Sequence, residues 1–323
     1  MKKIHIIGGG GYVGCAVIDF FLKKNFSVIC SDNFIYGHNF SIKKFTNNKN
    51  FKFNKLDLNN KNLNFSKFNV NFVVVLAGLV GDPITKKYKK KSILINEFGI
   101  KKIVNYYKDK KVRFIFVSTC SNYGVSKNIT NEKSKLRPKS LYAKQKVIIE
   151  KYIFSLKKKA TFSPVILRFA TAFGISLRPR FDLTLNQFVL NAFLKKNLEI
   201  YDHETWRPYC HIKDFAKVIF KCLFIEKNKV NFEVYNVGSD INNSRKIDLA
   251  KAIEKFFPQF NYKISNKSKD MRDYRVSFKK VKNKLKIKNF YPIKFGILEI
   301  KNYLNKSKQP EKYLKYGNYK LLR

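Results

Sequence analysis

A tyrosine and a lysine four residues apart, Tyr142 and Lys146, have the types and spacing needed for proton transfer. On a helix, positions i and i+4 share one face, so the ammonium would lie near the phenol. A nearby positive charge favours the phenolate and lowers the tyrosine pKa from its usual value of about 10. The pair therefore predicts that Tyr142 acts as a general base toward a substrate hydroxyl.

A threonine upstream of this pair, Thr119, follows the apolar run of residues 113–118. In a parallel sheet the carboxyl ends of the strands face the ligand site, so a strand here would deliver hydroxyl groups to that site. We expect Thr119 to hydrogen-bond the reacting oxygen and to orient it toward Tyr142. The predicted catalytic residues are Thr119, Tyr142 and Lys146.

A glycine-rich turn follows the first apolar run, with Gly8, Gly11 and Gly14 in GxxGxxG spacing. This spacing permits a tight turn, a close approach of the backbone to a pyrophosphate, and close packing of the next helix. The pyrophosphate then sits at the positive N-terminus of that helix. The turn predicts a dinucleotide site, and Lys146 can hydrogen-bond the nicotinamide ribose. The predicted contacts of the turn are Gly8, Gly11, Tyr12, Val13 and Gly14.

Residues at the ends of the following runs indicate which dinucleotide binds. Asp32, followed by Asn33, can accept hydrogen bonds from both ribose hydroxyls of NAD and would repel the extra phosphate of NADP. Asp57 ends the third run, where it can meet the adenine or serve only a turn. Ala77 and Gly78 end the fourth run, and their small size would let the cofactor lie against the sheet. The predicted cofactor is NAD.

Short runs rich in Val, Ile and Phe alternate with longer segments of helical periodicity in the first half of the chain. The runs are apolar throughout, as strands buried on both faces should be. The alternation predicts an α/β fold, a Rossmann-type doubly wound parallel sheet. The runs are residues 3–7, 26–31, 51–56, 72–77, 113–118 and 163–169, and the helical segments are 12–24, 92–108 and 141–158.

After about residue 175 the alternation loosens, which predicts a smaller C-terminal α+β substrate domain. We expect helices at 183–195, from near Asp214, and after a cap at Ser244, with a strand at 233–239 and a mobile tail from 305. The predicted NAD-binding domain spans 1–174 and is completed by about 209–240. Residues 175–208 and 241–323 are predicted to form the second domain and the tail.

The net charge of +45 first suggests a nucleic-acid partner. Most of the basic residues are Lys. Lysine has A/T-rich codons, as do Asn, Ile and Phe, which are also abundant in this chain. The Lys are also spread along the whole chain. Genome composition explains this better than a binding patch, so we expect no nucleic-acid partner. In such a chain the few Arg are informative, because Arg grips phosphate and carboxylate in bidentate fashion.

Cysteine usage and hydropathy indicate the compartment. The five Cys form no CxxC pair and no metal-ligand spacing, which fits a reducing cytosol. Glycines interrupt the first apolar run too early for a signal peptide, and the longest apolar stretch, 72–80, is far short of the roughly 20 residues of a membrane span. We therefore expect a cytoplasmic protein without membrane insertion or a metal site, and a structural role for His211.

Taken together, these motifs resemble the extended short-chain dehydrogenase/reductases of the NAD-dependent epimerase/dehydratase family. The resemblance covers nearly the full length and includes GGGGYVG, SDNF, LAGLVGDP, STCSNYG, YAKQK, RFDLTLNQF and MRDYRVS. It implies a nucleotide-diphosphate sugar as substrate and oxidation at carbon 4 of that sugar. It further implies that Asn96 supports the site, that Leu58 and Phe169 lie with the motif residues around NAD, and that Asn186, Arg207 and Arg272, joined by Arg180, face the diphosphate.

One departure from the family bears on the reaction. The sugar 4,6-dehydratases carry Asp and Glu directly after the catalytic Thr, whereas this chain has Cys120 and Ser121, which argues against dehydration. Two outcomes of oxidation at carbon 4 stay open. A UDP-glucose 4-epimerase-like enzyme ranks first, and a C4 dehydrogenase resembling those that act on GDP-linked manno-heptose in capsule sugar pathways ranks a close second.

Two further expectations follow. The rival class is a Rossmann-derived RNA-binding or regulatory protein that has lost its chemistry, and the intact Thr119, Tyr142 and Lys146 argue against it. By analogy with the family, helices 92–108 and 141–158 are expected to pair two subunits in a homodimer.

Overall fold

The computed structural model describes residues 1–60, 63–265 and 272–322. The strands of the central sheet are rich in β-branched and aromatic residues. The strands are β1 (Lys3–Ile7), β2 (Ser27–Asp32), β3 (Phe51–Lys55), β4 (Phe72–Val75), β5 (Arg113–Thr119), β6 (Ser163–Phe169), β7 (Thr171–Phe173), β8 (Leu198–Tyr201), β9 (Trp206–His211), β10 (Glu233–Val237), β11 (Asn243–Arg245) and β12 (Tyr262–Ser265).

The helices fill the connections between these strands. They are α1 (Tyr12–Lys23), α2 (Asp82–Lys87), α3 (Lys89–Ile93), α4 (Ile100–Tyr107), α5 (Leu141–Ser155), α6 (Thr184–Phe193), α7 (Ile212–Phe224), α8 (Lys227–Val230), α9 (Lys246–Glu254), α10 (Lys279–Leu285) and α11 (Ile293–Asn305). A π-helical turn, Leu94–Gly99, joins α3 to α4, so the predicted helix 92–108 is not one regular α-helix.

Seven parallel strands form the central sheet in the order β10-β6-β5-β4-β1-β2-β3. One face packs on α1 and α7 through residues such as Val17 and Phe215, and the other packs on α4 and α5 through Ile103 and Ile149. The predicted doubly wound Rossmann-type sheet is confirmed. The strand order reverses between β1 and β4, and ligands of such sheets bind in the crevice outside the strand ends at that point.

A separate core lies beyond this sheet. Helices α6, α9 and α11 share it, with Val189, Ile253 and Ile300 buried together. The strands beside it form a sheet ordered β11-β9-β7 and a parallel pair, β12 with β8. A second core of mixed helices and strands is the kind of unit expected for a substrate domain, while the predicted division of the chain at about residue 174 stays a prediction.

Two local expectations are corrected. The N-cap of helix α9 is Arg245 and not Ser244: the Arg245 backbone N–H donates to Asp248 Oδ2 at 2.9 Å, and its guanidinium donates to the same carboxylate. Helix α7 begins at Ile212, within two residues of the expected start near Asp214, and His211 caps it by accepting from the Lys213 N–H through Nδ1 at 3.2 Å.

The segment from residue 305, expected as a mobile tail, instead packs against the rest of the protein. Tyr313 is buried, and the Tyr316 carbonyl accepts from the Phe181 N–H at 2.8 Å. The Leu322 N–H donates to the carbonyl of Ile35 at 2.9 Å. Over the part of the chain that the structure describes, there is no helix with the length and hydropathy of a membrane span.

Candidate functional site

A cleft of about 640 Å³ opens at the carboxyl edge of the central sheet, facing the second core. Most residues predicted to bind a cofactor or substrate lie in its wall. Those lining it are Gly8, Gly11, Tyr12, Val13, Gly14, Asp32, Asn33, Asp57, Leu58, Ala77, Gly78, Thr119, Tyr142, Lys146, Phe169, Arg180, Arg207 and Arg272. The fold thus brings motifs that are far apart in sequence around one space.

The turn between β1 and α1 needs its glycines for close approach. Gly8 has φ +88°, and a Cβ there would lie 2.4 Å from the backbone nitrogen of Ala77. A Cβ on Gly14 would lie 2.5 Å from the carbonyl oxygens of Gly8 and Gly9. Gly11 is the N-cap and provides no side-chain cap, so the first N–H groups of α1 face the cleft without a side-chain acceptor. Such an end fits a pyrophosphate.

Asp32 ends β2 beside this turn. Its Oδ2 accepts from the Gly10 N–H at 2.9 Å, and its Oδ1 accepts from the Phe34 N–H at 2.8 Å. Burial raises the pKa of Asp32, and these two backbone donors act in the opposite direction. The carboxylate is therefore fixed in the wall where the sequence predicts the adenine ribose. Asp57 lines the same wall, and its Oδ1 also accepts from the Asn59 N–H at 2.9 Å, so it serves a turn as well.

Tyr142 and Lys146 share one face of α5, whose N-cap Ser140 accepts from the Ala143 N–H at 3.3 Å. Lys146 Nζ donates to the carbonyl of Val117 at 2.8 Å and lies 5.8 Å from the centre of the Tyr142 ring. Thr119, at the end of β5, accepts from the Ser121 N–H at 3.1 Å through its Oγ1. All three predicted catalytic side chains line the cleft.

The electrostatics of this pair differ from the expectation. Burial raises the pKa of Tyr142, and the charge of Asp82 raises it further, while Arg180 opposes both. Burial lowers the pKa of Lys146 to about 8, although the negative charge of Glu150 acts to raise it. The net direction for Tyr142 is thus opposite to the expected lowering of its pKa, because desolvation of the phenol outweighs the positive charge near it.

A buried ionic network lies behind the pair and fixes α5 on the sheet. Glu150, one turn beyond Lys146, accepts from Arg168 Nη2 at 2.6 Å, and both side chains are almost fully buried. Asn122 Nδ2 donates to the same carboxylate at 2.8 Å, and Ser118 Oγ also donates to it. Buried charges of this kind are favourable only when paired and hydrogen-bonded, as these are.

Two predicted site residues lie behind the wall instead of in it. Asn96 Oδ1 accepts from the Leu79 N–H at 2.8 Å, and its Nδ2 donates to the Leu79 carbonyl and to Gln145 Oε1. Asn186 Nδ2 donates to the carbonyls of Gly174 and Arg180, at 3.2 and 2.8 Å. Neither is among the residues that line the cleft, and backbone groups engage both amides; the support of the site by Asn96 and the contact of Asn186 with the diphosphate stay predictions.

The arginines gather at the second-core side of the cleft. Arg180 pairs with Asp182, with Nε 2.9 Å from Oδ1. Arg207 lies with its guanidinium carbon 5.5 Å from the centre of the Tyr274 ring and donates to the Trp206 carbonyl at 2.7 Å. Arg272 Nη1 lies 2.8 Å from Asp82 Oδ2. The result is a wall with several cations, suited to a diphosphate.

Sequence reasoning missed several residues in the wall. Arg178 lies 5.0 Å over the ring of Tyr36, and burial together with Arg180 lowers its pKa to about 10. The scarcity of Arg in this chain was the available signal for it. Asp82 stands inside the LAGLVGDP stretch but was given no role. Asn318 and Tyr319 carry no local signal, because they reach the cleft only through the packed tail.

His211 is fully buried, with Nε2 2.8 Å from Glu299 Oε2. This arrangement supports its expected structural role. Within residues 1–60, 63–265 and 272–322, no three His, Cys, Asp or Glu side chains gather as a metal site would require.

The sequence profile of the NAD dependent epimerase/dehydratase family matches residues 4–238 of the chain. A relative from Bacillus subtilis, described as an uncharacterized UDP-glucose epimerase YtcB, is 27% identical over 245 residues, which cover 73% of this chain and 76% of the relative. A dTDP-D-glucose 4,6-dehydratase from Dictyostelium discoideum is 26% identical over 276 residues, covering 78% of this chain and 62% of that protein.

Solved structures show the same fold. The UDP-glucuronic acid 4-epimerase from Bacillus cereus, solved with UDP-glucuronic acid and NAD, superposes with a TM-score of 0.84 at 23% identity, covering 94% of this chain and 98% of that chain. The UDP-glucose 4-epimerase from Thermotoga maritima superposes with a TM-score of 0.81 at 21% identity, covering 94% and 99%.

Proposed function

We propose that this chain, which belongs to the NAD dependent epimerase/dehydratase family, is a nucleotide-sugar 4-epimerase that acts by transient oxidation at carbon 4 of the sugar. One observation carries the proposal. The glycine turn, Asp32 and the set of Thr119, Tyr142 and Lys146 face a single cleft, as an enzyme that holds a dinucleotide against a sugar requires. NAD is the cofactor, and the glycine turn and the uncapped start of α1 fit its pyrophosphate.

Each residue of the proposed site has a distinct role in the reaction. Bound NAD supplies a group that can accept a hydride from the sugar and return it. Tyr142 takes the proton of the sugar hydroxyl, and Thr119 orients that hydroxyl by a hydrogen bond. Lys146 supplies a positive charge beside the phenol and a donor to the ribose. Arg180, Arg207 and Arg272 hold the diphosphate, which fixes the sugar while its keto form turns over.

The position after Thr119 supports epimerisation over dehydration. Cys120 is fully buried, its Sγ lies 3.2 Å from the Arg168 carbonyl, and burial raises the pKa of its thiol. It can neither reach a substrate nor exchange protons with one. Ser121 lines the cleft, but its hydroxyl is a poor acid or base near neutral pH.

A C4 dehydrogenase is the second candidate. Two stretches, RFDLTLNQF and MRDYRVS, resemble those of enzymes that act on GDP-linked manno-heptose, and this resemblance favours a dehydrogenase. Arg180 and Asp182 of RFDLTLNQF form an ion pair in the cleft wall. In this case the keto sugar leaves, and the reduced cofactor must be reoxidised. Such an enzyme would belong to surface polysaccharide synthesis.

The decisive experiment mixes purified protein and NAD with UDP-, GDP-, CDP- and dTDP-sugars. For an epimerase we expect sugar NMR to show inverted carbon 4 without a rise in NADH absorbance. Stoichiometric NADH with a keto sugar would favour the dehydrogenase. If neither signal appears with any sugar, the enzymatic proposal fails, and binding of RNA that weakens steeply with salt would favour the rival class.

We further propose a cytoplasmic homodimer. The five cysteines are free and buried, which suits a reducing compartment. Leu94 and Phe98, before α4, are 52% and 55% exposed, and Ile148 on α5 is 38% exposed, so the surface of the expected four-helix interface carries exposed apolar side chains. Sedimentation of the wild type and of Phe98→Glu tests this, because only a dimer formed through this surface dissociates in the variant.

A further inference from the structure

Asp82 is a carboxylate in the cleft wall for which the proposed chemistry has no use. It follows the loop after β4 and is the first residue of α2. Its Oδ2 accepts from Arg272 Nη1 at 2.8 Å, whereas its Oδ1 is shielded from solvent and has no hydrogen-bond partner within the described residues. The side chain as a whole is 26% exposed and lines the cleft, so a ligand there would lie against it.

The loop that carries Asp82 is tied to the helix that carries Tyr142. Asn96 holds both backbone groups of Leu79 in this loop, and its Nδ2 also donates to Gln145 Oε1 on α5 at 2.9 Å. The tail adds a second tie, since Asn318 Nδ2 donates to the Val80 carbonyl at 3.0 Å. The carboxylate is therefore held in place relative to Tyr142, as a selective contact requires.

The charge of Asp82 reaches the reaction centre. After burial, it is the largest influence that raises the pKa of Tyr142. Charges within a cleft interact more strongly than charges in bulk water, so a second negative charge placed there would be repelled by the first.

We infer that Asp82 selects sugars that present a hydroxyl beside the reacting carbon and rejects sugars that carry a carboxylate there. This inference rests on the proposed function and narrows its substrate to neutral nucleotide sugars. A hydroxyl can donate to the carboxylate of Asp82 from the cleft, whereas a uronate brings a second carboxylate against it. Arg272 does not relieve the repulsion, because it already pairs with Asp82 and faces the diphosphate in the proposed complex.

The test measures binding, which separates selection from turnover. Tyr142→Phe protein loaded with NAD is titrated calorimetrically with UDP-glucose and UDP-glucuronate, and with GDP-mannose and GDP-mannuronate. Whichever nucleotide the protein accepts, we expect the uronate to bind at least about tenfold more weakly than the neutral sugar with the same nucleotide, which is the size of a close like-charge effect. Asp82→Asn in the same background should bring the two affinities close together, and Asp82→Ser should act in the same direction.

Asp19→Asn is the matched control. It removes an equal charge from α1, where Asp19 pairs with Lys23 outside the cleft, so the affinity ratio should not change. Equal affinities with Asp82 present, a ratio that survives Asp82→Asn, or no binding by either pair would each overturn the inference. Selective binding together with a wild-type protein that turns over no sugar would instead overturn the proposed function alone.

Discussion

Lys146 Nζ lies 2.8 Å from the carbonyl oxygen of Val117, so the helix that carries Tyr142 is bonded to the strand that ends in Thr119. The bond has two consequences. It holds the three predicted catalytic side chains as one unit, and it gives the buried ammonium a backbone acceptor. The stability and pH behaviour of the protein should reflect this arrangement.

Tyr142→Phe should abolish turnover while leaving NAD bound. The ring still fills its place in the cleft, but the proton-accepting oxygen is gone, and a positioned acid or base contributes about 10²–10⁴-fold. Turnover of the identified sugar and cofactor fluorescence measure the two properties separately. A variant with full activity would remove Tyr142 from its proposed role.

Lys146→Met should stabilise the folded protein at neutral pH while abolishing activity. The pKa of Lys146 is about 8 in the fold against an ordinary value of 10.5. The unfolded chain therefore binds more protons between these values, and stability rises with pH across the window. Below pH 8, keeping the buried ammonium charged costs about 3 kcal/mol of folding stability, which the methionine variant regains. The variant also loses the hydrogen bond to Val117, which reduces this regained stability by about 1 kcal/mol.

Urea unfolding of both proteins at pH 7 and pH 10 tests this stability effect. The advantage of the Lys146→Met variant should be about 2 kcal/mol at pH 7, from the same two terms, and should vanish or reverse at pH 10. A difference that does not change with pH would show that desolvation of Lys146 is not its cause.

Glu150→Gln should destabilise the protein by about 3–5 kcal/mol, the usual effect of leaving a buried charge unpaired. Arg168 would lose its partner, and the pKa of Lys146 would fall further because Glu150 raises it. Urea unfolding measures the first effect, and the pH profile of turnover measures the second. Adding Arg168→Met should recover part of the stability, and a double variant as unstable as the single one would argue against the unpaired charge.

Asn318→Ala should speed the release of NAD about fivefold, the effect of one hydrogen bond of about 1 kcal/mol. Asn318 joins the packed tail to Val80, beside the cleft, at 3.0 Å, and its N–H donates to Asp182 Oδ2 at 3.1 Å. Stopped-flow fluorescence measures the release. Lys320→Ala, a change at an exposed neighbour, is the control and should release NAD at the wild-type rate.

Local signals were sufficient where the chemistry is local. Gly8 and Gly14 could be assigned because only glycine permits their close contacts, and Tyr142 with Lys146 because four residues make one helical turn. Asn96 and Asn186 were expected at the site from family motifs alone, and their backbone partners could not be foreseen because a motif does not say which groups an amide meets. The packed tail was missed because its partners, Ile35 and Phe181, are far away in sequence.

The sequence by itself determined the doubly wound sheet, the dinucleotide turn and the tyrosine–lysine pair, since each follows from residue types at short, regular spacings. Only the tertiary structure decided the charge states and the neighbours of these groups. Asp82 acts on Tyr142, Val117 engages Lys146, and Glu150 meets Arg168 because the chain folds them together. Burial and distance fix such interactions, and neither is written in the order of the residues.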